Sequence, residues 1–312
     1  MVIRMYKKTF IVIKKTFNFI LLCLTQKIIE YSASKDKNSV VEILSSDHYR
    51  DPIPKIIWIY WHDQDLPDLV SFCVARIRKL NPEYNVVLLN KFTVCDFLPQ
   101  VKSWHGGLSV QILSDLIRLN LIYKYGGVWV DASVIFFENM SWIDHLSLLN
   151  RYDLIGFYRS RLTANFNSPV VESWMLAAPP KNKFVKKWCE IFNPVSEKGL
   201  DDFYNKICER KDFAEIKQKI NLPKYLAVYL AHQIAVKEYC KVNCYLRCVE
   251  HTGYFYQECY PQNYYVLSKV WCKIKRPSSL PPLIKLTRQN RDFISDCKKI
   301  ESDSIIGYFL NS

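Results

Sequence analysis

Asp115 and Arg118 stand three residues apart in Ser114-Asp115-Leu116-Ile117-Arg118, inside a run from Leu108 to Tyr125 that is otherwise apolar almost all round. Gln111, Ser114, Asp115 and Arg118 recur at three- and four-residue spacing, so a helix collects them on one stripe. An exposed ion pair of this spacing contributes only about 0.2–0.5 kcal/mol, and the apolar neighbours argue against exposure. The stripe therefore needs something to satisfy it. Tyr125-Gly126-Gly127 supplies a left-handed helix stop, and Val128-Trp129-Val130 reads as a short buried strand that delivers Asp131 to its carboxyl end, with Ser133 two residues on. In open α/β sheets ligands gather at that end. An arginine fork suits phosphate, and a carboxylate beside a hydroxyl suits a cation.

The elements that must hold these groups alternate along the chain. Lys55 to Trp61 reads as an apolar strand, Pro67 to Leu80 as a helix stopped at Asn81-Pro82, and Asn85 to Asn90 as a second strand. Strands are expected at Asp153 to Tyr158 and Val171 to Ala177, and a helix around Phe184 to Phe192. This is the pattern of a doubly wound α/β sheet. Beyond Leu200 the pattern turns mainly helical, notably from Pro223 to about Cys248. The one boundary the sequence offers lies near residue 50, separating a basic amphipathic extension, 1–49, from a domain over 50–312.

With 312 residues, 49% of them hydrophobic, the chain can bury one large core. Part of its net charge of +13 lies at the front, where residues 1–37 carry eight basic against two acidic residues, a net +6. Lys14 and Lys15 interrupt the apolar run there well short of the roughly 20 residues that span a bilayer, and Thr25-Gln26-Lys27 offers no signal-peptidase site. An uncleaved surface helix is expected. It either lies on an anionic membrane surface or packs on the domain with its lysines solvated. The eleven cysteines are scattered without Cys-x-x-Cys pairs, which fits a cytoplasmic protein. Cys240, Cys244 and Cys248 would fall along one helix face, and core packing is favoured over zinc. His62, His105, His232 and His251 lack a spacing that marks a catalytic base.

Four segments taken together carry a family resemblance: Ile53 to Trp61, Ser114 to Leu119, Tyr125 to Ser133, and Glu172 to Pro179, with a further match at Pro282-Leu283-Ile284-Lys285-Leu286-Thr287. In that order they resemble the capsular polysaccharide synthesis proteins of bacteria, which are similar to glycosyltransferases of the DXD class such as yeast-type mannosyltransferases and clostridial glucosylating toxins. The resemblance implies a GT-A-like, Rossmann-type nucleotide-sugar domain. By motif match it gives Asp115 and Arg118 contacts to the donor sugar, and Asp131 a place toward a divalent metal, Mn²⁺ or Mg²⁺. The wider class has a second carboxylate where this chain has Ser133. Mg²⁺ can be held by one carboxylate plus substrate phosphates, so Asp131 with Ser133 is the expected metal pair, and metal dependence stays open. Trp61, at the end of the first strand, is either a base-stacking platform or a core plug. Lys285, with Arg288, either approaches the donor diphosphate from the C-terminal segment or is a solvated base.

The expected reaction is transfer of a sugar from a nucleoside diphosphate donor to a hydroxyl of a surface glycan or lipid-linked oligosaccharide. Asp131 with its metal and Arg118 would stabilise charge on the leaving diphosphate, and the stereochemical course is left open. The rival reading is a non-catalytic glycan-assembly subunit that keeps the fold. A nucleic-acid binder ranks below both, because no recognition motif accompanies the basic residues.

Overall fold

Ile56-Ile57-Trp58-Ile59-Tyr60 has no polar face, as a strand covered on both sides requires, and its last four residues are buried. In the computed structural model, which describes residues 2–45, 50–104, 106–260 and 264–312, it is the second of nine strands. These are β1 (Val41–Ile43), β2 (Ile56–Tyr60), β3 (Asn85–Leu89), β4 (Gly127–Val130), β5 (Val134–Phe136), β6 (Leu154–Tyr158), β7 (Val171–Ala178), β8 (Cys244–Cys248) and β9 (Leu283–Lys285). Seven form one mixed sheet in the order β1-β8-β6-β7-β4-β2-β3, and β5 pairs with β9 in a small second sheet.

β2 runs parallel to both β3 and β4. The chain leaves β2 through the Asp68–Leu80 helix to reach β3 on one side, then returns through the Val110–Tyr125 helix to β4 on the other. The strand order thus reverses at β2, and a crevice opens at the carboxyl ends of β2 and β4. Alternate residues face opposite layers. Trp58, Tyr60 and Trp129 pack with the Val110–Tyr125, Lys183–Phe192 and Ala227–Tyr239 helices. Ile57, Ile59, Val128 and Val130 pack with Val70, Val74 and Ile77 of the Asp68–Leu80 helix. The expected α/β layering is present, and the part beyond Leu200 is mostly helical around β8 and β9.

The glycine pair allows β4 to start against β2 with no intervening loop. Gly126 caps the preceding helix at φ 65°, and a Cβ there would stand 2.6 Å from the Pro180 nitrogen. Gly127 has φ 92°, and a Cβ would meet the Ile56 carbonyl oxygen at 2.6 Å. Any larger residue would push the two strands apart.

The helix expected from Pro223 to Cys248 ends at Tyr239, where Cys240 adopts the left-handed conformation at φ 59°. Cys244 to Cys248 is instead β8, alternately buried and half-buried. A four-residue cysteine spacing is even, so it keeps one face of a strand as well as one face of a helix. Cys244 and Cys248 are buried as core residues while Cys240 is exposed.

The N-terminal segment is tied to the rest of the molecule. β1 forms the edge of the main sheet against β8, and Asp36 pairs with Arg247. Along the Val2–Thr25 helix the inward residues are partly polar: Lys15 Nζ donates to the Gln257 carbonyl at 2.7 Å and Asn18 Nδ2 to that of Cys259 at 2.8 Å. Leu22 joins the core of the C-terminal helices. The outward residues Ile13, Phe17, Ile20, Leu21 and Leu24 are exposed. The helix therefore packs on the domain with Lys15 turned inward and an apolar stripe turned out. Residues 46–49, beside the boundary drawn near residue 50, lie outside the described residues, as does His105.

Candidate functional site

Asp131 emerges from β4 at the crevice, its backbone N–H donating to the Trp174 carbonyl of β7 at 2.9 Å. Antiparallel β5/β9 pairing sets Lys285 opposite Val134, and the Leu286 N–H donates to the Ser133 carbonyl at 3.0 Å. That register brings a lysine from the C-terminal segment onto the Asp131-Ala132-Ser133 corner. Lys285 Nζ donates to Asp131 Oδ2 at 2.7 Å and to Ser133 Oγ at 3.2 Å.

Arg118 reaches the same carboxylate from the Val110–Tyr125 helix. Its Nη2 donates to Asp131 Oδ1 at 3.0 Å and to Ser114 Oγ at 3.4 Å, while Nη1 pairs with Asp115 Oδ1 at 2.8 Å and bonds Ser173 of β7. The guanidinium lies 5.1 Å from the centre of the Trp129 ring, whose Nε1 donates to Asp131 Oδ1 at 2.9 Å. Asp115 and Arg118 thus form a buried pair, as the apolar helix required. The Arg118 side chain is only 6% exposed, with both terminal nitrogens committed to protein partners.

Arg291, on the Arg288–Ser295 helix, donates from Nη1 to Ser133 Oγ at 3.2 Å and lies 5.5 Å from the centre of the Trp61 ring. Trp61 is half-buried at the cleft, with that ring face taken by a guanidinium. Arg288 is exposed and paired with Asp292 at 3.7 Å.

These groups line a cleft of about 920 Å³, large enough for a nucleotide-sized ligand. Another part of its wall carries Arg159, Tyr229 and Tyr254. The buried Glu172 carboxylate braces that wall, accepting from Tyr229 Oη at 2.7 Å and pairing with Arg159 at 3.5 Å.

The two carboxylates of the site are driven in opposite directions. Burial pushes Asp115 up to about 6, with Arg118 opposing and the Asp131 charge adding to the rise. Burial also acts upward on Asp131, but Lys285 and Arg118 outweigh it and hold the carboxyl down at about 2. Lys285 is drawn below its ordinary value by burial, against the pull of Asp131. With Asp131 ionised 2.7 Å away, the ammonium form is the one the site is built around.

As a place for a divalent metal the corner is poorly made. Both Asp131 oxygens already accept from cationic groups, Arg118 and Lys285, and the Ser133 hydroxyl accepts from Lys285 as well and from Arg291. No group of three His, Cys, Asp or Glu side chains among the described residues could hold an ion. Three cationic heads, Arg118, Lys285 and Arg291, surround two carboxylates, an excess that favours an anion and repels a dication. The expected metal pair of Asp131 and Ser133 therefore does not fit the ion.

The cleft gathers the residues expected at the metal and donor positions: Trp61, Ser114, Asp115, Arg118, Asp131, Ser133 and Lys285 all line it. Arg291, Ser173 and Trp129 were not anticipated. Ser173 lay within a segment that carried the family resemblance, whereas Arg291 had only its spacing of three from Arg288 as a signal. His232 is buried against Trp188 and Phe184, and burial pushes it down to about 3, so it stays a neutral core residue.

The pattern described as capsular polysaccharide synthesis protein matches residues 7–198. An O-glycosyltransferase, braB, of Annulohypoxylon truncatum is 27% identical over 181 residues, covering 51% of this chain and 42% of its own. The glycosyltransferase afumC of Aspergillus fumigatus is 27% identical over 162 residues, covering 45% of this chain and 40% of its own. The match thus spans about two fifths of these relatives. Among solved structures, the PaToxG glycosyltransferase aligns over 73% of this chain and 88% of its own, with TM-score 0.34 and 13% identity. The glycosyltransferase domain of the YGT toxin aligns over 78% and 89%, with TM-score 0.35 and 11% identity.

Proposed function

The chain belongs to the capsular polysaccharide synthesis protein family, and from that premise we propose that it is a glycosyltransferase using a nucleoside diphosphate sugar. The observation that carries this reading is the convergence of Arg118, Lys285 and Arg291 on one corner of the cleft at the carboxyl ends of β2 and β4. A diphosphate suits such a corner, since charge-assisted hydrogen bonds to phosphate oxygens are about twice as strong as neutral ones.

In the reaction, the bond from the anomeric carbon to the donor's β-phosphate oxygen breaks, its electron pair staying on the diphosphate. An acceptor hydroxyl oxygen forms the new bond to that carbon and its proton passes to solvent. Negative charge grows on the leaving diphosphate, so a fixed cationic corner stabilises the transition state more than the ground state. Asp115 and Asp131 hold Arg118 in register. The acceptor class is a glycan or lipid-linked oligosaccharide.

The apolar stripe of the N-terminal helix fits an anionic lipid surface at the inner face of a cell membrane. Phe17 and Leu24 are 63% and 78% exposed, Lys14 is exposed beside them, and residues 1–37 carry the net +6. No helix among the described residues is long and apolar enough to cross a membrane, so attachment would be peripheral. The alternative of a non-catalytic subunit is favoured only by Ser133 standing where the second carboxylate would be.

A panel of nucleotide sugars, screened first for thermal stabilisation and then for release of the nucleoside diphosphate with a glycan acceptor, tests the reading. Stabilisation and turnover by one donor support it. Stabilisation without turnover or hydrolysis favours the non-catalytic subunit, and no stabilisation by any donor removes the reading.

A further inference from the structure

We propose that Lys285 is the resident cation of this site: its ammonium, held between Asp131 and Ser133, meets the donor diphosphate in place of a divalent metal. The proposal rests on the nucleotide-sugar reading and adds to it the source of the positive charge.

The geometry of the corner argues for it. Two positions that would jointly address a metal, 131 and 133, are bridged by one ammonium at 2.7 and 3.2 Å. With a second carboxylate at 133 the corner would hold three negative charges, one met by Arg118 and two left for a dication. A serine there leaves one hydroxyl, which accepts from Lys285 and from Arg291 at 3.2 Å. The substitution and the lysine therefore belong together. Removing a carboxylate lowers the charge that must be neutralised to what a single ammonium can match.

The lysine is placed by the fold and not by a flexible arm. β9 is locked to β5 in register, and the Gln257 side chain donates to the Lys285 carbonyl at 3.0 Å. Among the described residues, Asp131 and Ser133 are its two side-chain partners, using two of three ammonium donors. The third is left for a phosphate oxygen in the cleft that Lys285 lines. Arg291, laid across Trp61, stands on the other side of Ser133 as a second donor to the same oxygens. Arg118 is spent on Asp115, Asp131, Ser114 and Ser173 and so contributes field and positioning.

The test measures binding of UDP, GDP and inorganic pyrophosphate to the full chain by calorimetry, in EDTA and then in Mn²⁺. Wild-type protein should bind at least one of these probes with an affinity that changes less than threefold between the two conditions. Mn²⁺ alone should give no binding by electron paramagnetic titration. Lys285→Met should weaken the bound probe at least tenfold in EDTA, and Lys285→Arg should restore part of the loss. Ser133→Asp supplies a readout independent of that variant's folding: it should gain Mn²⁺ binding and lose affinity for the probe in EDTA. Binding that appears only with Mn²⁺, or Mn²⁺ bound by wild-type protein alone, overturns the proposal and leaves the nucleotide-sugar reading standing. Failure of all probes in both conditions overturns the proposal, and the nucleotide-sugar reading falls with it only if the donor panel also gives no stabilisation.

Discussion

Replacing Asp131 by Asn removes one negative charge from a corner where it faces Lys285 at 2.7 Å and Arg118 at 3.0 Å. The carboxyl is held at about 2 against an ordinary 3.8. At 1.36 kcal/mol per unit this corresponds to about 2–3 kcal/mol of folded-state stabilisation. Breaking a buried pair by deleting one partner costs about 3–5 kcal/mol, and because Asp131 is 24% exposed the lower figure is the appropriate one. A chain of this size loses about 2–4 °C per kcal/mol, so the variant should melt about 5–10 °C below wild type at neutral pH. It should remain folded, with at least a hundredfold loss of transfer because Lys285 is no longer aimed.

The sign with pH follows from the depressed value. A carboxyl that titrates lower in the folded state contributes stability fully above its unfolded value near 4, and that stability is lost as pH falls toward about 2. The melting gap between wild type and Asp131→Asn should therefore narrow between pH 4 and pH 2. Pyrophosphate should repair part of the gap, since it restores negative charge beside Lys285 and Arg291. Calorimetric melting with and without the anion checks both. Equal melting temperatures at neutral pH, or a gap that persists undiminished in acid, would refute the reasoning.

Asp115 has the opposite sign: its folded value of about 6 lies above the unfolded one, so the stability it contributes is present below about pH 4 and lost as pH rises through 6. Urea unfolding of Asp115→Asn at pH 5 and pH 7.5 should lack the decline that wild type shows, and an identical decline in both would refute it. Arg118→Lys should lower kcat/KM at least a hundredfold, because an ammonium cannot span Asp115 and Asp131 together as the fork does; kinetics like wild type would return the pair to a structural role. Phe17→Ser with Leu24→Ser should abolish cosedimentation with anionic vesicles without changing the melting temperature, since both side chains are exposed. Retention of vesicle binding would move the membrane contact elsewhere.

The parts of the fold visible in the sequence were those with a single physical reading. An apolar run such as Ile57 to Tyr60, too short for a buried helix, reads as a covered strand, and Gly126-Gly127 as a sharp stop before a close approach. The Ser114 to Arg118 stripe was likewise legible, because charges in an apolar helix must meet partners. β8 was missed because an even cysteine spacing satisfies both periods. β5 and β9 escaped notice because three-residue strands are specified by each other, not by their own sequences. The N-terminal helix read as amphipathic with outward lysines, but Lys15 turns inward to Glu258 at 3.7 Å and to a backbone carbonyl. Such an inversion depends on a partner surface more than 240 residues away, which local pattern cannot register.

That same long-range pairing explains why the site's charge balance could not be read from its motif. Asp131-Ala132-Ser133 alone looks like a metal corner with one ligand missing. β9 changes its meaning, because the register that places Ile284 opposite Ile135 also fixes Lys285 opposite Val134. Ile135 and Ile284 are fully buried with Leu286 in the C-terminal core. A one-residue slip would turn that apolar pair outward and withdraw the ammonium from Asp131 together. Packing of the small sheet and charge of the cleft corner are thus set by one register. A polar substitution at Ile284, which does not itself line the cleft, should on this account lower diphosphate affinity and stability in parallel.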